Sequence, residues 1–314
     1  MFKPRRYAIL LGLAVALSLI ISACGSSTDT TGSTPTSSGP STLGTPGQYN
    51  CVPGTLTVSG STALQPLVTA VATDYSNKCK GASITVNGGG SSTGKANVEA
   101  GSVGIGDSDT PSSTAQADLV DHQVAVVIFG IIVNSDAGVT NLTTAQIQGI
   151  YAGTITNWKQ AGGKDLPIVA VSRPTTSGTR ATFAQYVLGH TEKITGPASL
   201  VSDTTGTVVK EVGSTNGAIG YAATGQVPAG GAAAVISIDG NMPSVANVES
   251  NTYKFWNVEH MYTKGKATGL AQALIDYMSS DDGHKEETTL QFVDLSQMQA
   301  SSISAHNAVP KPAA

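Results

Sequence analysis

The chain has 314 residues, 40% of them hydrophobic and only 12% charged, with a formal net charge of −4 at pH 7. That make-up belongs to a compact globular body and excludes an intrinsically disordered chain. With no basic stripe to meet a phosphate backbone, nucleic acid is excluded as a partner.

Lys3, Arg5 and Arg6 precede an uncharged run, residues 8–21, that is too short and too soon interrupted for a membrane span. Ser22 and Ala23 follow it, so residues 1–23 are expected to be a secretory signal peptide. Ile21-Ser22-Ala23-Cys24 resembles the lipobox of bacterial lipoproteins, and that resemblance implies cleavage before Cys24 and acyl chains on it. An ordinary signal peptide with a chance cysteine is the alternative. The rest of residues 24–48 is nearly all Ser, Thr, Gly and Pro, which cannot bury enough apolar surface to offset its ordering entropy and reads as a flexible tether. The body is then extracytoplasmic, held to the cell membrane by lipid on Cys24, and on the periplasmic side if an outer membrane exists. Without Lys3, Arg5 and Arg6 there remain 14 basic and 21 acidic residues, a net charge of −7, so any affinity for an anion must come from local donors. In an oxidising compartment Cys51 and Cys79 make an even pair, whose bridge would contribute about 3–4 kcal/mol. Free buried thiols are the other possibility.

Residues 49–314 are enough for two lobes. Leu56-Thr57-Val58 reads as a strand entering Ser59-Gly60-Ser61-Thr62-Ala63, after which Leu64, Leu67, Val68, Val71, Ala72 and Tyr75 recur at helical spacing. Residues 83–87 are strand-like and lead through Gly88-Gly89-Gly90-Ser91-Ser92-Thr93-Gly94 into a short helix. Residues 104–107 form another strand, ending at Ser108-Asp109-Thr110-Pro111. Strand, loop, helix and strand at this spacing predict βαβ units and a mostly parallel sheet. The apolar run 123–133 is too long for one ordinary strand and is a candidate crossover between sheets. Thr143 starts a helix carrying Ile147, Ile150 and Tyr151. Residues 168–172 are a buried-type strand running into Arg173-Pro174-Thr175-Thr176-Ser177-Gly178-Thr179-Arg180, with Phe183, Tyr186 and Val187 continuing inward as a helix. A helix at Val208, Val209 and Val212, strands at 218–221 and 234–238, a return loop at 239–252, a second extended crossover at 253–262 and an amphipathic helix at 270–278 complete the pattern. Two crossovers divide the body into lobe I (49–132 and 255–314) and an inserted lobe II (133–254).

The three hydroxyl- and glycine-rich loops each stand where a helix begins. Unpaired N–H groups and the positive end of the helix dipole favour an anion there, hydroxyls add donors, and glycine admits close approach. Arg173 offers a planar fork to two oxygens of a tetrahedral anion. Taken singly, each loop is equally a plain cap or a structural turn. Asp109 is the oddity, since a carboxylate repels an anion unless the ligand carries a proton it can accept. Phosphate near neutral pH does and sulfate does not, so an inverted contact of about 1.5–3 kcal/mol would discriminate between them. Asp109 as a turn residue before Thr110-Pro111 is the alternative. The five histidines, His122, His190, His260, His284 and His306, show no metal-ligand spacing, and no GxSxG elbow appears. No cofactor or metal is expected. Trp158 and Trp256 read as packing residues and His260 as a hydrogen-bonded structural histidine.

The strings SGSTALQPL, GGGSSTG, GIGDSDTP, TNWKQAGG, SRPTTSGTRATF and NGAIGYA resemble the phosphate-specific substrate-binding proteins of ABC transporters, from Thr55 to the last helix. The resemblance implies an α/β, two-lobed, type II periplasmic-binding-protein fold, each lobe a mixed and mostly parallel sheet flanked by helices. It also implies phosphate binding in the cleft without chemistry, delivery to ABC permease subunits, and a monomer. It places on the ligand Thr62, the Ala63 amide, Ser91, Asp109, Arg173, Ser177, Gly178 and Thr179. Some members carry an aspartate where Thr175 stands, so Arg173 must be held by something else here, and Arg180 either contacts the ligand or braces the loop. Competing readings are a receptor for sulfate or molybdate, a secreted phosphate-ester hydrolase, and a sensory or adhesive surface lipoprotein.

Overall fold

A computed structural model describes residues 49–193 and 199–312. The expected signal peptide (1–23), Cys24 and the tether (24–48) lie outside the described residues.

The chain enters through β1 (Gly54–Gly60), α1 (Gln65–Lys78), β2 (Ala82–Asn87), α2 (Ser91–Glu99) and β3 (Ile105–Ser108). The apolar face of α1, Leu67, Val68, Val71, Ala72 and Tyr75, is buried as its spacing predicts. Both β2 and β3 pair in parallel with β1, giving the expected βαβ units. A disulfide joins Cys51 to Cys79, with Cα atoms 5.0 Å apart, and ties the entering segment to the end of α1.

The run expected to cross between sheets is one 16-residue strand, β4 (Leu119–Asn134). Beyond it come β5 (Asn141–Leu142), α3 (Thr144–Tyr151), β6 (Val169–Ser172), α4 (Gly178–Phe183) with a π-helical turn at Ala184–Leu188, β7 (Ser199–Val201), α5 (Thr205–Ser214), β8 (Ala218–Ala223) and β9 (Ala233–Ile238). The Thr143 hydroxyl accepts from the Gln146 N–H while the Gln146 side chain accepts from the Thr143 N–H, a reciprocal cap that sets the start of α3. The polar stretch 239–252 holds a short helix, α6 (Val245–Glu249), before β10 (Trp256–Lys264), α7 (Gly269–Met278), α8 (Asp281–Thr289) and α9 (Ala300–Asn307). The periodic pattern of the sequence does not announce α8 and α9, since DDGHKEETT and ASSISAHN carry almost no apolar stripe.

Strand order is β2-β1-β3-β10-β4-β8-β6-β7, with β9 beside β4 and β5 beside β9. β4 changes partners along its length. Through Ile128 it runs antiparallel to β10, and from Phe129 onward antiparallel to β8, then also β9. β6 pairs in parallel with β7 and β8. The return of the chain differs from a second shared strand. The strand begins only at Trp256, and β10 pairs with β3 and β4 alone.

At the handover on β4 an aromatic cluster packs Phe129 on Phe255 (centroids 5.3 Å apart), Phe255 on Phe183 (5.6 Å) and Phe183 on Tyr221 (4.3 Å). Burying each ring stabilises by about 1.5–3 kcal/mol, and favourable ring pairs add about 0.5–1.5 kcal/mol. Phe183 ends α4, so this cluster fixes where α4 begins relative to the strand ends of the first half. Trp158 and Trp256 are fully buried packing residues, and His260 Nδ1 sits 2.8 Å from Asp121.

Candidate functional site

The loops singled out by sequence leave the carboxyl ends of β1, β2, β3 and β6, the position where open α/β sheets hold ligands. They meet one another there.

From the first half, the Ser61 hydroxyl accepts from the Ala63 and Leu64 N–H groups (both 3.0 Å) and donates to Asp109 Oδ1. The Ala63 amide is therefore engaged by its own turn. Thr62 Oγ1 accepts from Arg173 Nη2 (3.0 Å) and from the Thr205 N–H (3.1 Å). At the start of α2, Ser91 Oγ accepts from the Asp109 N–H (3.0 Å). Asp109 itself is 1% exposed, and its Oδ2 accepts from Thr179 Oγ1 (2.8 Å).

From the second half, Ser177 caps α4 by accepting from the Arg180 N–H (3.2 Å), so Gly178 and Thr179 are the first residues of that helix. Gly178 faces Ser91 and Asp109 so closely that a Cβ there would overlap Ser91 Oγ and lie 2.8 Å from Asp109 Cβ. Gly90, at φ +91°, brings the start of α2 against Thr176, where a Cβ would fall 2.7 Å from the Thr176 carbonyl oxygen. The Ser92 N–H donates to that same carbonyl (3.1 Å). Gly90 lets its loop touch the Thr176 backbone, and Gly178 lets α4 start against the Ser91 and Asp109 side chains.

All eight residues expected from sequence are brought together: Thr62, Ala63, Ser91, Asp109, Arg173, Ser177, Gly178 and Thr179. Arg173 is 1% exposed, donates to Thr62 and Thr205 hydroxyls and to the Asp203 carbonyl (3.1 Å), and leaves Nε buried with no partner. The Asp203 carbonyl does part of the holding that an acid at position 175 would do. Arg180 resolves as a brace: it reaches the Arg173 carbonyl, the Glu192 carbonyl (2.9 Å) and the Glu192 carboxylate (3.1 Å), and Glu192 accepts in turn from Tyr221 Oη (2.8 Å).

Several contributors were not read in the sequence. Ser61 supplies the second hydroxyl on Asp109, and Thr205, at the start of α5, bonds both Thr62 and Arg173. The string Asp203-Thr204-Thr205-Gly206-Thr207 has the same hydroxyl and glycine signature as the three chosen loops and would have been found by the same criterion. Asn257 had no such signal; its amide reaches the Asp109 carbonyl and Thr182 Oγ1.

The local charges separate into two kinds. Burial pulls the Arg173 guanidinium below its ordinary pKa, with the Asp109 charge acting the other way. Burial lowers Lys95 to about 8, and its ammonium caps the Thr110 and Pro111 carbonyls beside Asp109. Asp107 and Glu259, on neighbouring strands, are fully buried with unpartnered carboxyl oxygens. Desolvation first, and then the Asp109 charge, push both well above the usual carboxyl range. Asp109 is the one acid of the three whose oxygens accept from hydroxyls, and it lies among Arg173, Lys95 and the three helix starts. Cavities of about 680 Å³, lined by Thr62, Gln65, Thr204 and Gln226, and about 570 Å³, lined by Ser92, Lys95, Thr175 and Arg180, flank the cluster.

Residues 30–282 match the PBP superfamily domain. The phosphate-binding protein PstS of Bacillus subtilis is 40% identical over 296 residues, 93% of this chain and 95% of that protein. The chain belongs to the PstS family of phosphate-binding proteins. Among solved structures, a Clostridium perfringens protein assigned to phosphate ABC transport as its substrate-binding protein, with bound phosphate, is 30% identical at a TM-score of 0.73, covering 77% of this chain and all of that one. An ABC-type phosphate transport receptor from Vibrio cholerae is 27% identical at a TM-score of 0.62, covering 76% of this chain and 99% of that one. The mixed sheet with helices on its faces is thus the type II periplasmic-binding-protein fold expected from the PstS-like strings. Among the described residues no helix is long and apolar enough to cross a membrane.

Proposed function

We propose that this protein captures inorganic phosphate between its two lobes, without chemistry, and delivers it to the permease of an ABC transporter. Its body is a monomer tethered by residues 24–48 to a lipid on Cys24, outside the cytoplasmic membrane. Lobe I comprises residues 49–132 and 255–314, and lobe II residues 133–254. The family relationship supports phosphate as ligand, and one observation in this chain carries the reading. The Asp109 carboxylate, from lobe I, accepts from hydroxyls of both lobes at a point where helix starts and Arg173 converge.

In this reading the hydroxyls of Thr62, Ser91 and Thr179, the Ala63 amide, the Ser177-Gly178-Thr179 helix start and Arg173 donate to phosphate oxygens. Donors now satisfied inside the protein exchange their partners for the anion, and Arg173 Nε gains one. Asp109 accepts the remaining phosphate proton. Sulfate at neutral pH has no proton to offer and would set oxygen lone pairs against the carboxylate, which costs about 1–3 kcal/mol for an unmade buried contact. Because the donors come from both lobes, phosphate stabilises the closed arrangement over an open one. The permease then recognises the closed, loaded form.

Isothermal titration of the mature protein with phosphate, arsenate, sulfate and molybdate tests this. Saturable one-to-one binding of phosphate and arsenate, with sulfate at least about tenfold weaker, is the expected result. Equal affinity for sulfate would remove the role of Asp109, and release of product from a chromogenic phosphate ester would replace binding with hydrolysis.

A further inference from the structure

Far in sequence from the loops of the proposed phosphate site, three potential ligands gather at the end of α8. His284 and Glu287 stand one helical turn apart on one face, and Asp294 follows the segment that folds back from the helix. One ligand atom from each lies within 4.8 Å of the other two, with His284 Nδ1 3.7 Å from Asp294 Oδ2. Three such groups alone signify little. The second observation is Glu287: it is 1% exposed, and neither carboxylate oxygen has a hydrogen-bond partner. A buried carboxylate is ordinarily solvated by donors, and leaving it bare costs several kcal/mol unless a proton or a cation neutralises it. Among the described residues no lysine or arginine bonds to either oxygen, and the groups gathered beside it are an imidazole and a second acid.

We propose that His284, Glu287 and Asp294 form a binding site for a single divalent cation of the zinc type. One imidazole nitrogen and two carboxylate oxygens are a donor set that suits Zn²⁺, with bond lengths near 2.0–2.2 Å. Drawing the three atoms onto one ion needs only side-chain rotation, for the His284 and Asp294 side chains are partly exposed, 40% and 21%, whereas Glu287 is held by burial. Water would complete the coordination. The ion would clamp the end of α8 to the segment after it. That segment is already folded back by the Phe292 N–H donating to the Glu287 carbonyl (2.8 Å), and Val293 pairs with Val126 on β4. The Leu290 carbonyl packs against Gly225, in the turn Thr224–Gln226. Gln226 Nε2 donates from this turn to the Thr62 and Ala63 carbonyls (3.0 and 3.1 Å). The cation site therefore sits behind the junction of the two halves, and its existence does not depend on what the cleft binds.

The test is titration of the metal-stripped protein with zinc chloride, followed by calorimetry and by melting temperature. One equivalent should bind saturably, and a hundredfold excess over Kd should raise the melting temperature by about 5 °C. His284→Ala and Asp294→Asn, both at partly exposed positions, should each weaken binding at least about tenfold and abolish that rise. His190→Ala, at an exposed histidine elsewhere, should leave both unchanged. Glu287→Gln, which removes the bare charge, should lose zinc binding while melting no lower than the metal-free parent. Absence of saturable zinc binding, or binding that survives His284→Ala, would overturn the proposal. The same result in all variants would mean only that zinc meets scattered surface groups.

Discussion

The sharpest perturbation is Gly178→Ala. The residue opens α4, where alanine is the better helix former by up to about 1 kcal/mol, and its φ is one that any L-residue adopts. The three atoms nearest the new methyl all come from Ser91 and Asp109, which the proposed division puts in lobe I: it would overlap Ser91 Oγ and sit 2.8 Å from Asp109 Cβ and 2.9 Å from Ser91 Cβ. Relief by a few tenths of an ångström would also stretch the 2.8 Å bond from Thr179 to Asp109. Overpacking typically costs about 1–3 kcal/mol, and taking the middle of that range alone weakens phosphate binding roughly thirtyfold. The cost falls on the closed form only. Ligand-free Gly178→Ala should therefore melt at or above the wild-type temperature while its phosphate Kd rises. Calorimetric titration gives the affinity, and small-angle scattering with and without phosphate gives the degree of closure. A Kd within threefold of wild type would refute the claim that closure brings Gly178 against Ser91 and Asp109; a lowered ligand-free melting temperature would refute the claim that the clash is between lobes.

Other outcomes follow from the same geometry. Asp109→Asn should narrow the preference of phosphate over sulfate by about tenfold or more, read as the ratio of Kd values, since the amide can donate where the carboxylate could only accept. Arg180→Ala should weaken phosphate binding through the pose of Arg173 and lower the melting temperature by leaving Glu192 buried without its ion pair, a loss of about 3 kcal/mol. Asp107 and Glu259 have pKa values raised on folding, so they contribute stability that is fully present below about pH 4 and lost as pH climbs toward their folded values. Each group steepens that decline by up to about 1.4 kcal/mol per pH unit, and Glu259→Gln should flatten the melting temperature between pH 5 and pH 8. Reduction of the Cys51–Cys79 bridge should cost about 3–4 kcal/mol, seen as a lower denaturant midpoint with phosphate binding retained.

Reading along the chain recovered the elements whose burial is one-sided. The α1 stripe, the capping of α3 by Thr143 and the alternation of strand and helix through β3 each follow from local periodicity. It failed where the local signal is flat. The polar α8 and α9 and the short α6 have no stripe to betray them, and their positions come from caps and from packing on the rest of the fold. The candidate site was legible as residue types because three helix starts with hydroxyls and glycine recur and their strings resemble those of phosphate-binding proteins, although each loop alone is equally a cap or a turn. Thr205 was passed over although its loop has the same composition, and Ser61 was seen only as part of a turn. Nothing in the sequence said that Ser61 would face Asp109 across 48 positions.

Sequence by itself determined which segments are helix starts, that the loops carry donors rather than acids, and that one aspartate stands among them against expectation. Those properties are local, set by a few neighbouring residues and by the chemistry of their side chains. Only the tertiary structure decided which loops meet, that Gly90 and Gly178 permit close contact between them, and that Arg180 braces the Arg173 carbonyl. It also decided which acids burial pushes to higher pKa and which one accepts from hydroxyls. Most of these depend on partners far along the chain, Ser61 standing 48 and Thr179 70 positions from Asp109, and on desolvation, which exists only once the chain has closed around them.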